Sequence, residues 1–248
     1  MPVHTVSDRD LRSTRGEGDT ASRAVAIDAA LGSKLLELHI ARYRPGRSRP
    51  RSLDRVQEVM YTASGWGRLI VDGEPQELEP GTAAYVVAGE TYEVDNPGPE
   101  TLLVVSATAP QSSPGPLKGR RVVRYDDQPA LPASGGREFR YLVTDEVGCT
   151  DLTQFFGIIA PGRAPAHSHV YDEVIYVLEG EGVLHIDRSH EPVSAGTCIY
   201  LPPLLEHSLE NSGDSSMRIV AVFHPAGDPA SRAYEAGRPA AALPRLVS

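Results

Sequence analysis

Short apolar runs recur along the chain, separated by polar gaps that glycine and proline punctuate. ELHIARY (37–43), EVMYTAS (58–64), GRLIVDG (67–73), TAAYVVA (82–88) and TLLVVSA (101–107) are rich in Val, Ile, Tyr and Thr. The rhythm returns in TQFFGIIA (153–160), EVIYVLEG (173–180), EGVLHID (181–187), TCIYLP (197–202) and MRIVAVF (217–223). β-branched and aromatic runs of this length predict strands, and many short strands at regular spacing predict a sandwich or barrel. The fold class is therefore all-β. One short helix is predicted near the C-terminus, with Asp228 as its cap, Pro229 at its first position and SRAYEA following. No apolar run approaches the roughly eighteen residues of a membrane helix. The opening segment, MPVHTVSDRDLRSTRGEGD, lacks the apolar core of a secretory signal.

The two sets of runs are copies of one another. With Glu58 placed on Glu173, an offset of 115, the chain aligns without a gap to Pro110 on Pro225. Identities include Tyr61/Tyr176, Gly65/Gly180, Asp72/Asp187, Gly81/Gly196, Tyr85/Tyr200, Asn96/Asn211 and Gly98/Gly213, among 14 in 53 positions. That is several times the chance rate. Upstream, Pro45-Gly46-Arg47 matches Pro161-Gly162-Arg163 at offset 116. A chain of 248 residues could hold one or two domains. The repeat makes it two, residues 1–112 and 113–248, joined by the Pro-, Gly- and Ser-rich segment 111–119.

Composition narrows the function. The net charge is −9 with no basic stripe, so nucleic acid is not an expected partner. Neither the apolar runs nor the N-terminus suggests a membrane. Two cysteines, Cys149 and Cys198, cannot staple a chain of this length, which makes the cytoplasm the expected compartment. Neither has a visible activating partner, so nucleophilic catalysis is not expected.

The second copy concentrates the chemistry. His167, His169 and Glu173 share parity along an extended chain, so their side chains share a face. His207 arrives from a neighbouring strand. Three imidazoles and a carboxylate converging inside a barrel suit a divalent transition metal. The set has no thiolate, as structural zinc would use, and too few oxygens for calcium. At the aligned positions the first copy has Ser52, Asp54, Glu58 and Tyr92. One carboxylate with a distant second cannot hold such a metal tightly, so the first barrel is expected to be metal-free.

The second copy reads Gly162-x4-His167-x-His169-x3-Glu173-x6-Gly180, then Gly196-x5-Pro202-x4-His207-x3-Asn211. These stretches resemble the two signature motifs of the cupin superfamily. The family often has five residues between the first Gly and His, and Leu204 stands where the second motif usually has Gly. The resemblance implies two tandem jelly-roll barrels, a bicupin with a degenerate N-terminal copy. It also implies that His167, His169, Glu173 and His207 bind the metal. Iron or manganese is favoured, with nickel, cobalt, copper and zinc as alternatives. A homodimer is a family-level expectation.

Around the metal, Gln154 and Tyr171 are candidate pocket residues with chemistry, and Phe156 and Val177 are candidate walls. His185, His190 and His224 fall outside the motif and are expected at the surface or in the core. Four protein ligands leave open positions for a small-molecule substrate, and the residual positive charge favours an anionic or enolisable one. The leading expectation is an oxidoreductase of dioxygenase type. The alternatives are a non-redox isomerase, lyase, decarboxylase or aminohydrolase, and a non-catalytic metal-dependent binding or regulatory protein.

Overall fold

The computed structural model of the chain describes residues 4–111, 114–133, 135–230, 234–235 and 238–239. Each apolar run named above forms a strand there, with ends shifted by at most a few residues: ELHIARY is Glu37–Tyr43 and TQFFGIIA is Thr153–Ile159. Several strands lie outside those runs. Glu74–Leu78, Thr91–Asn96 and Ser189–Ser194 carry many polar residues, because one of their faces meets water, and His207–Asn211 carries polar residues that are buried and hydrogen-bonded. No helix among the described residues is long and apolar enough to cross a membrane.

The strands build two jelly-roll barrels, each from a large and a small antiparallel sheet. In the first half, six strands run in the spatial order 122–124, 82–86, 56–64, 102–110, 37–43 and 21–27. They face a five-stranded sheet ordered 46–47, 91–96, 67–71 and 74–78, with 51–52 also paired to 91–96. In the second half, seven strands run in the order 5–7, 197–201, 172–179, 217–224, 153–159, 137–143 and 131–133. Their partner sheet has four strands, ordered 162–163, 207–211, 181–186 and 189–194.

The large sheets are buried on both faces, which explains their continuous apolar runs. On Asp172–Glu179, Ile175 and Val177 face the interior of their own barrel with Leu184 and Phe223. Val174 and Tyr176, on the other face, pack with Phe156, Val222, Tyr61 and Tyr85 in a layer that joins the barrels back to back. The first barrel keeps its own interior around Met60, Leu69, Tyr92 and Val94.

Two strands cross between the halves. Thr5–Ser7 pairs with Thr197–Leu201 of the second barrel, and Val122–Arg124 pairs with Thr82–Val86 of the first. Sheet membership thus departs from a division at 112/113 in both directions, because each barrel covers an otherwise open edge with chain from the other side.

The repeat identities have structural causes. Asn96 donates to the carbonyls of Tyr43 and Glu100, and Asn211 donates to those of Ile159 and Ser215. The Gly98 and Gly213 amides each donate to the oxygen of that Asn at 3.0 Å. At Gly182 an added Cβ would lie 1.8 Å from the Glu210 carbonyl oxygen, so no larger residue fits there.

The short C-terminal helix does not form among the described residues. Asp228 accepts a hydrogen bond from the Ala230 amide at 2.8 Å, but closes a local turn rather than capping a helix. Tyr234–Glu235 then pairs antiparallel with Arg238–Pro239, and residues 231–233 lie outside the described set.

Candidate metal centre

Three segments carry the four candidate ligands. His167 follows the Gly162–Arg163 strand and bridges His207 through two backbone hydrogen bonds of 2.9 Å, so the two residues stand side by side. Glu173 enters from the inward face of Asp172–Glu179, in line with Ile175. One ring nitrogen from each of His167, His169 and His207 lies within 4.8 Å of the others, and all three residues are buried. The nearer Glu173 oxygen, Oε2, is 3.8 Å from His169 Nε2. The structure therefore clusters the three histidines that the motif singled out and sets Glu173 beside His169, outside the group of mutually close donor atoms.

The orientation of two rings is fixed from behind. His167 Nδ1 contacts the Pro165 carbonyl at 3.0 Å, and His207 Nδ1 contacts that of Leu205 at 2.9 Å. A carbonyl only accepts, so both Nδ1 atoms carry the proton and both Nε2 lone pairs face the centre. Glu173 Oε2 is buried with no hydrogen-bond partner. A buried carboxylate oxygen without a partner is unfavourable, and a divalent cation among these donors would satisfy it. The donor set thus fits a transition metal.

Proton affinities agree with that fit. Burial pushes Glu173 up to about 8, with the Arg137 charge pulling the other way. Burial, aided by His207, Arg137 and His169, drives His167 down to about 2. Burial drives His207 down to about 4, against the bond to Leu205. At neutral pH both imidazoles are neutral, the form that binds metal, and a cation would draw Glu173 into its ionised form.

The centre opens into a narrow cleft of about 60 Å³, walled by Phe139, Phe155, Ile175, Leu201, Leu209 and Phe223. Arg137 and Glu138 also line it. Gln154 and Phe156, expected here, lie on the opposite face of their strand. Register places Phe155 and Gly157 inward, while Phe156 stacks on Tyr125 with ring centroids 4.6 Å apart. Gln154 is buried, and its Oε1 has no partner. Val177 faces inward but lies outside the cleft lining. Tyr171 stacks on His169 at 5.9 Å and meets Phe223 at 4.9 Å with the rings tilted, which makes it a buttress behind His169. Cys149 and Cys198 are both buried and both thiols are pushed up, Cys149 to about 12, so neither is a nucleophile.

Arg137 is the residue that sequence reasoning missed. It pairs with Ile159 as Ala21 pairs with Tyr43 in the first barrel, a stretch upstream of the aligned repeat, where the first copy has a small apolar residue.

The corresponding place in the first barrel is closed by its own side chains. Tyr92 donates its hydroxyl proton to Glu58 Oε2 at 2.9 Å, and Arg51 Nε stands 3.7 Å from the same oxygen. Ser52 and Asp54 are exposed. Glu58 is paired with a guanidinium in place of a metal.

A family model described as "Cupin domain" matches residues 39–108 and 155–223. Protein SchB from Streptomyces halstedii is 30% identical over 106 residues, or 42% of this chain and 75% of SchB. The chain spans about half the length of further curated relatives that it matches. A putative glyoxylate induced protein from Pseudomonas aeruginosa superposes with a TM-score of 0.76 at 20% identity, covering 88% of this chain and 87% of that one. Oxalate decarboxylase from Bacillus subtilis superposes with a TM-score of 0.71 at 15% identity, covering 90% and 78%. These solved structures share the fold.

Proposed function

The chain belongs to the cupin family, and from that membership and its second barrel we propose that it is a metal-dependent oxidoreductase of dioxygenase type. Its substrate is a small anionic or enolisable molecule with an apolar body. His167, His169, Glu173 and His207 would hold the ion, iron or manganese in preference. When bound, the ion supplies a Lewis-acid centre and redox chemistry with dioxygen.

The protein's own residues have separable roles. The Pro165 and Leu205 carbonyls hold two imidazoles in the metal-binding tautomer. The aromatic and aliphatic walls exclude water and accept the apolar body. Arg137 lines the cleft and its charge reaches Glu173, His167 and His207, so an anionic group entering there is attracted.

One observation favours oxygen chemistry over isomerase, lyase or hydrolase chemistry. Those reactions need an acid or base that is not tied up as a ligand. Among the described lining residues, the ionisable side chains outside the ligand set are Arg137 and Glu138, and Glu138 lies 3.6 Å from Arg140 in an ion pair.

The test is oxygen consumption by protein loaded with Fe(II) or Mn(II), against a panel of small 2-oxo, 2-hydroxy and dihydroxyaromatic acids. Uptake of dioxygen in step with substrate loss is expected. Equal turnover under strict anaerobiosis would overturn this reading in favour of the non-redox one.

A further inference from the structure

A second group of metal-binding side chains lies outside the barrel. His185 and His190 are directly opposite each other in the hairpin formed by Glu181–Ile186 and Ser189–Ser194. Their neighbours Leu184 and Ile186 face the barrel interior, so both imidazoles stand on the outer wall. The two Nδ1 atoms are 2.8 Å apart, with the rings at 70°. On the next strand, Glu210 Oε2 is 2.6 Å from His185 Nε2.

The proton positions follow from this chain of contacts. A carboxylate accepts, so His185 Nε2 carries the proton and donates it to Glu210. In the neutral imidazole that places the lone pair on Nδ1, facing His190. The His185 side chain is only 11% exposed, so its ring is held between strands; without metal the exposed His190 donates its Nδ1 proton to the His185 lone pair, and a bound ion would take that proton's place. A carboxylate behind an imidazole whose other nitrogen faces outward is the arrangement that orients metal-binding histidines and raises their basicity.

The separation is compatible with a shared ion. Two nitrogens each about 2.0 Å from an ion are about 2.8 Å apart at a right angle and about 3.3 Å apart at the tetrahedral angle. The observed separation, set by a shared proton, is also close to that of adjacent corners of a square or an octahedron, geometries open to Cu(II) and Ni(II). We propose that His185 and His190 form a second, solvent-facing metal site for Cu(II) or Ni(II), with Glu210 as the positioning residue behind His185. The remaining corners are open to water. A bound ion would clamp Ser189–Ser194, which is an edge strand of its sheet.

Copper titration of metal-free protein tests this by counting equivalents. Wild-type chain is expected to bind two ions, one in the barrel and one on the hairpin. His190→Asn, at an exposed position, should bind one, and Glu210→Gln should weaken the hairpin ion by about ten-fold or more. His169→Ala should lose the barrel ion and keep the hairpin ion, which separates failure of this site from failure of the barrel centre. Thermal melts without metal check that each variant is folded. Equal copper equivalents and affinities in wild type and His190→Asn would show that the two rings merely share a proton, and would overturn the proposal.

Discussion

Glu173 shows how one side chain can be unfavourable for folding and necessary for function. Its carboxyl titrates near 8 in the metal-free protein, against 4.5 as the ordinary value, because burial penalises the charge. The folded state therefore holds a proton that the unfolded state has already released. Stability is highest when both states are protonated, and falls as pH rises from about 4.5 through 8. Below about pH 6.5 the low values of His167 and His207 act in the opposite direction, so the clean window lies above neutrality. Metal-free protein should lose about 1 kcal/mol between pH 7 and 9, read from denaturant melts. Glu173→Gln should remove the slope, and metal-loaded wild type should remove it too, since the ion holds the carboxylate ionised. A metal-free protein with no slope would mean that Glu173 is solvated. The four candidate ligands could be picked from the sequence because their spacing places them within one short loop and one strand pairing. Arg137 and Phe155 were not. Which of two adjacent residues, Phe155 or Phe156, faces the cleft depends on register with Met217–His224, and both are apolar.

At the scale of elements, legibility followed burial. Strands buried on both faces announced themselves as apolar runs. Polar outer strands such as Ser189–Ser194, sequence SHEPVS, did not, and neither did the exchange of Thr5–Ser7 and Val122–Arg124 between barrels. That exchange depends on a buried contact just past the first strand. Asp8 accepts from Arg42 of the first barrel at 2.7 Å and from the Tyr176 hydroxyl of the second at 3.1 Å, and is itself only 7% exposed. Removing it leaves a guanidinium and a phenol without their acceptor between the barrels. Asp8→Ala should cost about 1–2 kcal/mol, since the half-buried Arg42 can turn to water, and Asp8→Asn, which keeps an acceptor oxygen, should cost less. Thermal unfolding followed separately by near-ultraviolet and far-ultraviolet dichroism would check this. Equal melting temperatures for Asp8→Ala and wild type would show that the strand alone secures the exchange.

On the scale of the whole molecule, one duplicated barrel has taken two courses. Both copies keep the inward glutamate, Glu58 and Glu173, yet different neighbours surround them. In the second barrel the carboxylate faces imidazoles and has an oxygen without a partner. In the first, the Tyr92 hydroxyl and the Arg51 guanidinium surround it, and Tyr92 is buried to 1% exposure. A guanidinium already supplies the positive charge that a metal would bring, so a cation there would have to displace it. The two barrels should therefore respond oppositely to mutation. His169→Ala should abolish metal retained in the barrel after dialysis, while Tyr92→Ala should leave metal content unchanged. Tyr92→Phe keeps the packing and isolates the hydroxyl. It should lower stability by about 1–3 kcal/mol, because Glu58 Oε2 loses its nearest donor, again with no loss of metal. Elemental analysis and melting curves on the same samples read both quantities. Comparable metal loss in the His169 and Tyr92 variants would refute the division of labour. Metal loss in the first with only a stability change in the second would show that the guanidinium in one barrel stands where the ion stands in the other.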